Sequence, residues 1–538
     1  MNKTLLIVIL SLGLVLRLVG LDKRPAGFTW DEAAIGYNSY SLLKTGRDEY
    51  GSVFPVIFKS FGDFKPGLYI YFAVPAVKLF GLNEFSTRLP SAIFGTLLLA
   101  TIYVLTKILF PKKDFAGYSL FLAAVNPWLI HFSRGAWEAN LNLLLITLAL
   151  TLYLYTLNHK SYLLYLISYI LFGLTFWAYQ SAKLFSPLLL AALLVISFRR
   201  IKFTKLILPA MLMVAIILPV IINFSGQSGR LRVFSVFSYT RKSEDVTEIL
   251  KQDNTVSKNL VYYLFHSEFL DQGRGVFQRY LNHLSPRFLF IDGDWTNLRH
   301  SLYKFGNFYI FDFLLIAAGL LYLLRYLLKS TAVKIIFFWL LIAPIPAALS
   351  RDLVSGVRSL PLAIPLIIIS AVGLSSIRKF KPGFILYSLL MLFFFVYYLD
   401  MYYIHQPFYS APEWVYPYRQ AMIKASDLQD KYSHIVITDK LGQPYIFTLF
   451  YLKVDPKTYQ SQAKLQDNVF GDVGKVESFS KFSFTSIYWP KLKSQPNTLF
   501  IGDPYELPEK DLTEPSLQKY GNIYYPNGQM ALTIVANP

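Results

Sequence analysis

The 538-residue chain predicts an all-α polytopic membrane protein of about eleven transmembrane helices, followed by a small C-terminal extracytoplasmic α/β or α+β domain. Three observations carry this. The chain is 54% hydrophobic and only 16% charged, where soluble domains are about a quarter charged. The apolar excess falls in runs of about 17 to 25 residues, the length that crosses a hydrocarbon core. Beyond residue 400 the pattern changes to short strand-like runs punctuated by turn residues.

The runs that read as spans are 4–20, 88–110, 115–131, 138–157, 162–178, 182–198, 205–223, 306–328, 334–350, 358–377 and 382–400. Segment 67–81 is also apolar. It is short, contains Pro75 and carries Lys78 near its end, so it reads as an interfacial helix. Lys3 followed by an apolar run resembles a signal peptide. The run is long for that, and no small-residue cleavage pattern follows, so it reads as a retained first helix.

The connectors fix an orientation. Lys112-Lys113, Lys160, Arg199-Arg200, Lys329 and Arg378-Lys379 lie in short basic connectors, which face the cytoplasm. The longer loops 21–87 and 225–305 and the tail then face outward, with the N-terminus inside. Residues 1–400 form the transmembrane domain and 401–538 the external soluble domain. In the tail, 434–438 and 498–501 read as strands and 443–452 as a helix. Pro526-Asn527-Gly528 reads as a turn.

The net charge of +19 does not indicate nucleic acid, since no basic helix or aromatic-basic ladder is present. Basic connectors account for much of it, and membrane lipid phosphates are the natural partner of the rest. The chain has no cysteine. Disulfides, thiol nucleophiles and cysteine-zinc sites are therefore excluded.

Candidate chemistry gathers in the outward loops. Asp31-Glu32 opens the first of them, at a boundary where an ionised group needs a reason to leave water. A carboxylate there can take a proton from an attacking hydroxyl or amine. Asp31 also suits a helix N-cap before Ala33, Ala34, Tyr37 and Tyr40. In Asp63-Phe64-Lys65-Pro66 the lysine can pair with phosphate or simply anchor a helix. Arg134 can fork onto phosphate, and Glu138 begins the next span, where it also complements the helix dipole. Arg358 begins a helix, where a cation needs a phosphate or an internal partner such as Asp352. His283, Asp292, Asp294 and His300, with Asp63, are candidate ligands for a divalent ion, but their spacing matches no specific metal motif. Asp292-Gly293-Asp294 reads equally as a turn.

The order of these motifs resembles the GT-C membrane glycosyltransferases, in particular the protein O-mannosyltransferase and aminoarabinose transferase superfamily (the glycosyltransferase 39 type). The resemblance runs from about Leu12 to Tyr398. It rests on Arg17-Leu18, Pro25, Asp31-Glu32-Ala33, Gly36, Gly46, Tyr50-Gly51 and Phe64-Lys65-Pro66, then Glu84, Arg88-Leu89-Pro90, Ser133-Arg134, Glu138 and Arg358-Ser359-Leu360-Pro361. It implies inverting transfer of a sugar from a polyprenyl-phosphate donor to an acceptor protein, lipid or glycan at the outer face of the cell membrane. Asp31, with Glu32 beside it, matches the catalytic acid position. Lys65 matches the lysine near the donor phosphate. Arg134, Glu138, Arg358 and Tyr37 become substrate-side candidates. The chain departs from the family where Gly67 follows Pro66 and where Phe64 separates Asp63 from Lys65, so no metal role is carried over. It also lacks the Trp-Trp-Asp signature of oligosaccharyltransferases.

The alternative is a transporter or flippase of lipid-linked sugars, holding the same phosphate without a base. Such a protein should show repeats and helices broken at mid-membrane. Neither is visible, and the charges cluster at one face.

Overall fold

The computed structural model describes residues 2–61, 63–159, 161–200, 203–223, 237, 241–466 and 475–538. The chain begins with helices α1 (Lys3–Leu18), α2 (Trp30–Thr45), α3 (Leu68–Phe80), α4 (Glu84–Leu109), α5 (Ala116–Val125), α6 (Pro127–Ser133), α7 (Glu138–His159), α8 (Tyr162–Ala178), α9 (Ala182–Ser197) and α10 (Ile207–Ile222). Three later apolar helices, Asp312–Leu327, Ala363–Ile377 and Lys381–Asp400, complete much of the bundle. Among the described residues, six helices are long and apolar enough to cross a bilayer, and four shorter apolar helices accompany them. Segment 67–81 forms the short helix α3.

Helix Ala363–Ile377 runs through the core, with nearly every side chain up to Leu374 buried. It crosses Asp312–Leu327 closely, because a Cβ on Gly373 would meet the backbone nitrogen of Gly319 at 3.0 Å. Small residues at such crossings let helix backbones approach where lipid offers no hydrophobic drive.

Several apolar runs are not single helices; 334–350, for one, is divided into Thr331–Ile342 and Ile345–Ala348. The expected span 115–131 breaks at Asn126, whose Oδ1 accepts from the Leu129 N–H at 3.0 Å while Pro127 starts α6. Proline fits a first helical turn because it has no N–H to leave unpaired. The run 358–377 becomes helical only after a short 3-10 turn through Pro361.

Among the described residues the tail holds a seven-stranded mixed sheet, in the order β4 (Lys464–Gln466), β5 (Lys475–Phe479), β6 (Phe482–Phe484), β3 (His434–Ile437), β7 (Thr498–Gly502), β9 (Met530–Asn537) and β8 (Gln518–Tyr524). Strand β3 (His434–Ile437) lies parallel to β6 (Phe482–Phe484) and β7 (Thr498–Gly502). The remaining pairs, including β8 (Gln518–Tyr524) with β9 (Met530–Asn537), are antiparallel. Gly528, at φ +84°, sits in the connection between β8 and β9. The packing does not divide at residue 400. Phe28, Ala33, Ala34 and Tyr37 share one core with Tyr418, Tyr445, Phe447 and Phe450. A Cβ on Gly36 would meet Thr87 Oγ1 at 2.6 Å and would also strike the Phe450 ring. Helix α2 is thus wedged between α4 and the sheet domain, which fixes how its first turn is presented.

Candidate active site

Thr29 starts α2. Its Oγ1 accepts from the Glu32 N–H at 3.2 Å, and Glu32 Oε2 accepts from the Thr29 N–H at 3.1 Å. This reciprocal cap satisfies two donors that a helix start leaves open. It also holds Asp31 and Glu32 at fixed, divergent angles.

Glu32 points inward and is 3% exposed. Its Oε1 accepts from Arg88 Nε at 2.8 Å and from the Ala136 N–H at 3.0 Å. Its Oε2 accepts from Arg88 Nη2 at 2.9 Å. Arg88 also donates to the carbonyls of Leu21, Pro25 and Gly27. One buried ion pair therefore ties the first loop, α4 and the 134–138 turn together. Both Glu32 oxygens are committed to these donors, which runs against the expectation of a free catalytic carboxylate at Glu32.

Asp31 points the other way and pairs with Lys65 Nζ. The Asp31 side chain is 36% exposed and that of Lys65 11%. Lys65 lies on β2 (Asp63–Pro66), which pairs antiparallel with β1 (Ile57–Ser60). Gln180 Nε2 donates to the Phe64 carbonyl at 3.2 Å and the Gly67 N–H to the Val56 carbonyl at 3.1 Å. The lysine is therefore delivered by a pinned hairpin, with its Nζ 5.1 Å from the Phe61 ring centre.

Glu49 is buried in the same loop. Its Oε1 accepts from Asn38 Nδ2 at 3.1 Å and its Oε2 from the Tyr445 hydroxyl at 3.4 Å. Burial pushes its carboxyl up to about 8, opposed by the Asn38 hydrogen bond and the charge of Lys65. Burial also raises the Asp48 carboxyl, against hydrogen bonds from the Ser52 and Tyr50 N–H groups.

The other substrate-side candidates lie elsewhere or are engaged. Arg134 is fully buried. It donates to the carbonyls of Leu16 and Val19 at 2.7 Å each and to the Tyr402 hydroxyl at 3.1 Å, between the Tyr402 and Tyr403 rings. It closes the C-terminal end of α1, whose carbonyls lack intrahelical partners, and offers no free fork to a phosphate. Arg358 pairs with Asp352, the internal partner weighed from the sequence. The Tyr37 hydroxyl donates to the Val454 carbonyl at 3.1 Å, inside the core shared with the sheet domain. Glu138 opens α7 and is half-buried.

The metal candidates disperse. The His283 ring accepts from the Ser355 N–H at Nε2 (2.9 Å) and so donates from Nδ1 to the Arg279 carbonyl (2.6 Å). Burial pushes His283 down to about 4, which keeps it neutral. Asp292 pairs with Arg287, and His300 with Asp294 at 2.8 Å. Asp294 also accepts from Gly356 and Thr296. Burial works against its charge, but these bonds hold its carboxyl below the usual range. These groups clamp loop 283–301 to loop 350–358. The side chain of Asp63 lies outside the described residues. Among the described residues, no three His, Asp or Glu side chains gather as a metal site.

Three residues outside the sequence-derived set stand out. Arg88 was signalled only as a motif member, although an arginine in an apolar helix requires a buried carboxylate. Glu49 was visible as a loop acid, but its burial comes from Tyr445, far along the chain. Arg279 lines a cavity of about 390 Å³ with Arg241, Arg351, Glu268 and Asp271. Its Nε donates to the Ala348 carbonyl, while its Nη2 is buried without a hydrogen-bond partner among the described residues.

Residues 65–223 match the model of the dolichyl-phosphate-mannose-protein mannosyltransferase family. No curated protein matches the chain by sequence. Solved structures match over its whole length. ArnT from Cupriavidus metallidurans in the apo state is 14% identical, with a TM-score of 0.56 over 99% of this chain and 98% of that one. The same protein bound to undecaprenyl phosphate is 13% identical, with a TM-score of 0.57 over 100% and 99%. The archaeal oligosaccharyltransferase AglB from Archaeoglobus fulgidus, in complex with an inhibitory peptide and a dolichol-phosphate, is 14% identical, with a TM-score of 0.50 over 99% of this chain and 74% of that one. The chain shares the fold of these structures, the GT-C-like fold expected from its sequence. Within it, the matched segment begins at Lys65 itself and carries Arg88, Arg134 and Glu138.

Proposed function

We propose that this chain moves a sugar from a polyprenyl-phosphate-linked donor to an acceptor at the membrane face that carries the sheet domain. The positive-inside pattern of its connectors makes that the outer face. One observation carries the reading: a half-open carboxylate, Asp31, paired with a lysine on a pinned hairpin.

The chemistry needs both groups. An acceptor hydroxyl or amine attacks the anomeric carbon, and the bond from that carbon to the phosphate oxygen breaks. The departing polyprenyl phosphate keeps the electron pair, and the acceptor's proton passes to Asp31. Lys65 exchanges Asp31 for the phosphate and stabilises the charge that grows on it. A single displacement inverts the anomeric centre and requires no covalent nucleophile. Glu32 and Arg88 hold the turn that aims Asp31. The matching structures support the donor class, since ArnT was solved with undecaprenyl phosphate and AglB with a dolichol-phosphate.

The test is sugar transfer by the purified protein from a series of polyprenyl-phosphate sugars. Donor-dependent transfer that is lost in Asp31→Asn and weakened in donor affinity by Lys65→Ala is expected. Equal turnover in wild type and Asp31→Asn would remove Asp31 from the mechanism.

A further inference from the structure

A groove of about 780 Å³ runs between α1, α5 and the helices Ala363–Ile377 and Lys381–Asp400. It lies in the half of the bundle away from the sheet domain. Its α1 wall runs from Leu5 to Leu12, near the start of that helix, while the far end of α1 meets Arg134. The other long wall runs from Phe384 to Phe395. That stretch rises about 16 Å, roughly half of a hydrocarbon core of about 30 Å. The groove is therefore one leaflet deep.

Its lining is apolar except at one end, where Asp114, Tyr118 and Arg378 meet it. Arg378 Nη1 donates to the Tyr118 hydroxyl at 2.7 Å. Asp114 and Arg378 are both exposed. A cation and an anion thus stand at the mouth of an apolar slot, at the depth where a lipid headgroup begins.

We propose that this groove holds one phospholipid with a zwitterionic aminophosphate headgroup, in the leaflet opposite the candidate active site. Arg378 takes the phosphate, as a guanidinium fork suits. Asp114 takes the primary ammonium. One acyl chain lies between α1 and the helix Lys381–Asp400. The neighbouring Lys112, Lys113 and Lys379 would draw an anionic lipid by general attraction, but its headgroup would offer Asp114 no cation. A polyprenyl tail from the donor would enter from the other leaflet and leave both charges unused.

The experiment is native mass spectrometry of the full chain in mild detergent, titrated with phosphatidylethanolamine, phosphatidylglycerol of the same acyl chains, or undecaprenyl phosphate. One tightly held phosphatidylethanolamine is expected, favoured over phosphatidylglycerol by about two- to fivefold, the scale of one exposed ion pair. Asp114→Asn should level that preference at unchanged melting temperature. Leu392→Trp, which fills the groove wall, should lower binding of both phospholipids while sugar transfer continues. Preferred binding of phosphatidylglycerol, displacement by undecaprenyl phosphate, or full phosphatidylethanolamine binding by Leu392→Trp would each overturn the proposal.

Discussion

Two carboxylates one residue apart at the start of α2 meet opposite surroundings. Glu32 is 3% exposed and accepts four hydrogen bonds, two of them from Arg88. The Asp31 side chain is 36% exposed, and the ion pair that engages it is with a lysine on a neighbouring hairpin. A buried pair is costly to break, because removing one partner leaves an uncompensated charge away from water. A half-open pair is worth little to stability, and its lysine can trade partners. Adjacent identical chemistry is thus split by burial into a strut and an accessible carboxylate. The same contrast separates Arg134, spent on the carbonyls of α1, from Lys65.

The comparison can be broken most forcefully from the buried side. Arg88→Met leaves Glu32 stranded and should cost about 3–5 kcal/mol, read as a large drop in the unfolding midpoint. A wild-type midpoint would mean that Glu32 finds water or another donor and is not a strut.

Glu49 gives the next effect, through pH. Its carboxyl sits at about 8 in the folded chain against an ordinary 4.5, raised first by burial. The folded state keeps a proton that the unfolded chain releases. Stability therefore falls as pH rises from about 4.5 to about 8, by at most ~1.4 kcal/mol per pH unit. Glu49→Gln should flatten that slope, as measured by melting across the range. An unchanged slope would place the burden on another group.

On the open side, Lys65→Ala should raise the donor KM about tenfold or more, on the scale of a hydrogen bond to a charged group, and leave the acceptor KM alone. A shift in both would point to a distorted hairpin instead of a lost phosphate contact. Smallest of all, Arg358→Ala removes a partly exposed pair with Asp352. It should cost under about 1 kcal/mol with donor KM unchanged. A clear rise in donor KM would return Arg358 to the phosphate.

Much of this arrangement was readable from residue order. Asp31 and Lys65 lie in one loop at motif spacing, and the fold joins them. The apolar runs marked most helices, because length and composition suffice for that. What escaped depends on distant partners. An arginine beside aromatic residues reads the same whether its fork meets a phosphate or, as with Arg134, the carbonyls of Leu16 and Val19. His283 and His300 sit in a loop that suggested a metal, but their partners at Ser355 and Asp294 make them clamps. The break at Asn126-Pro127 was locally legible and was hidden by the hydrophobicity around it.

The most direct test sets Asp31→Asn beside wild type in one preparation, with sugar transfer and melting temperature measured together. Asp31→Asn should lose about 10²-fold or more in turnover, the scale of a positioned base, at nearly unchanged melting temperature. Near-normal turnover in a folded Asp31→Asn protein would contradict the account.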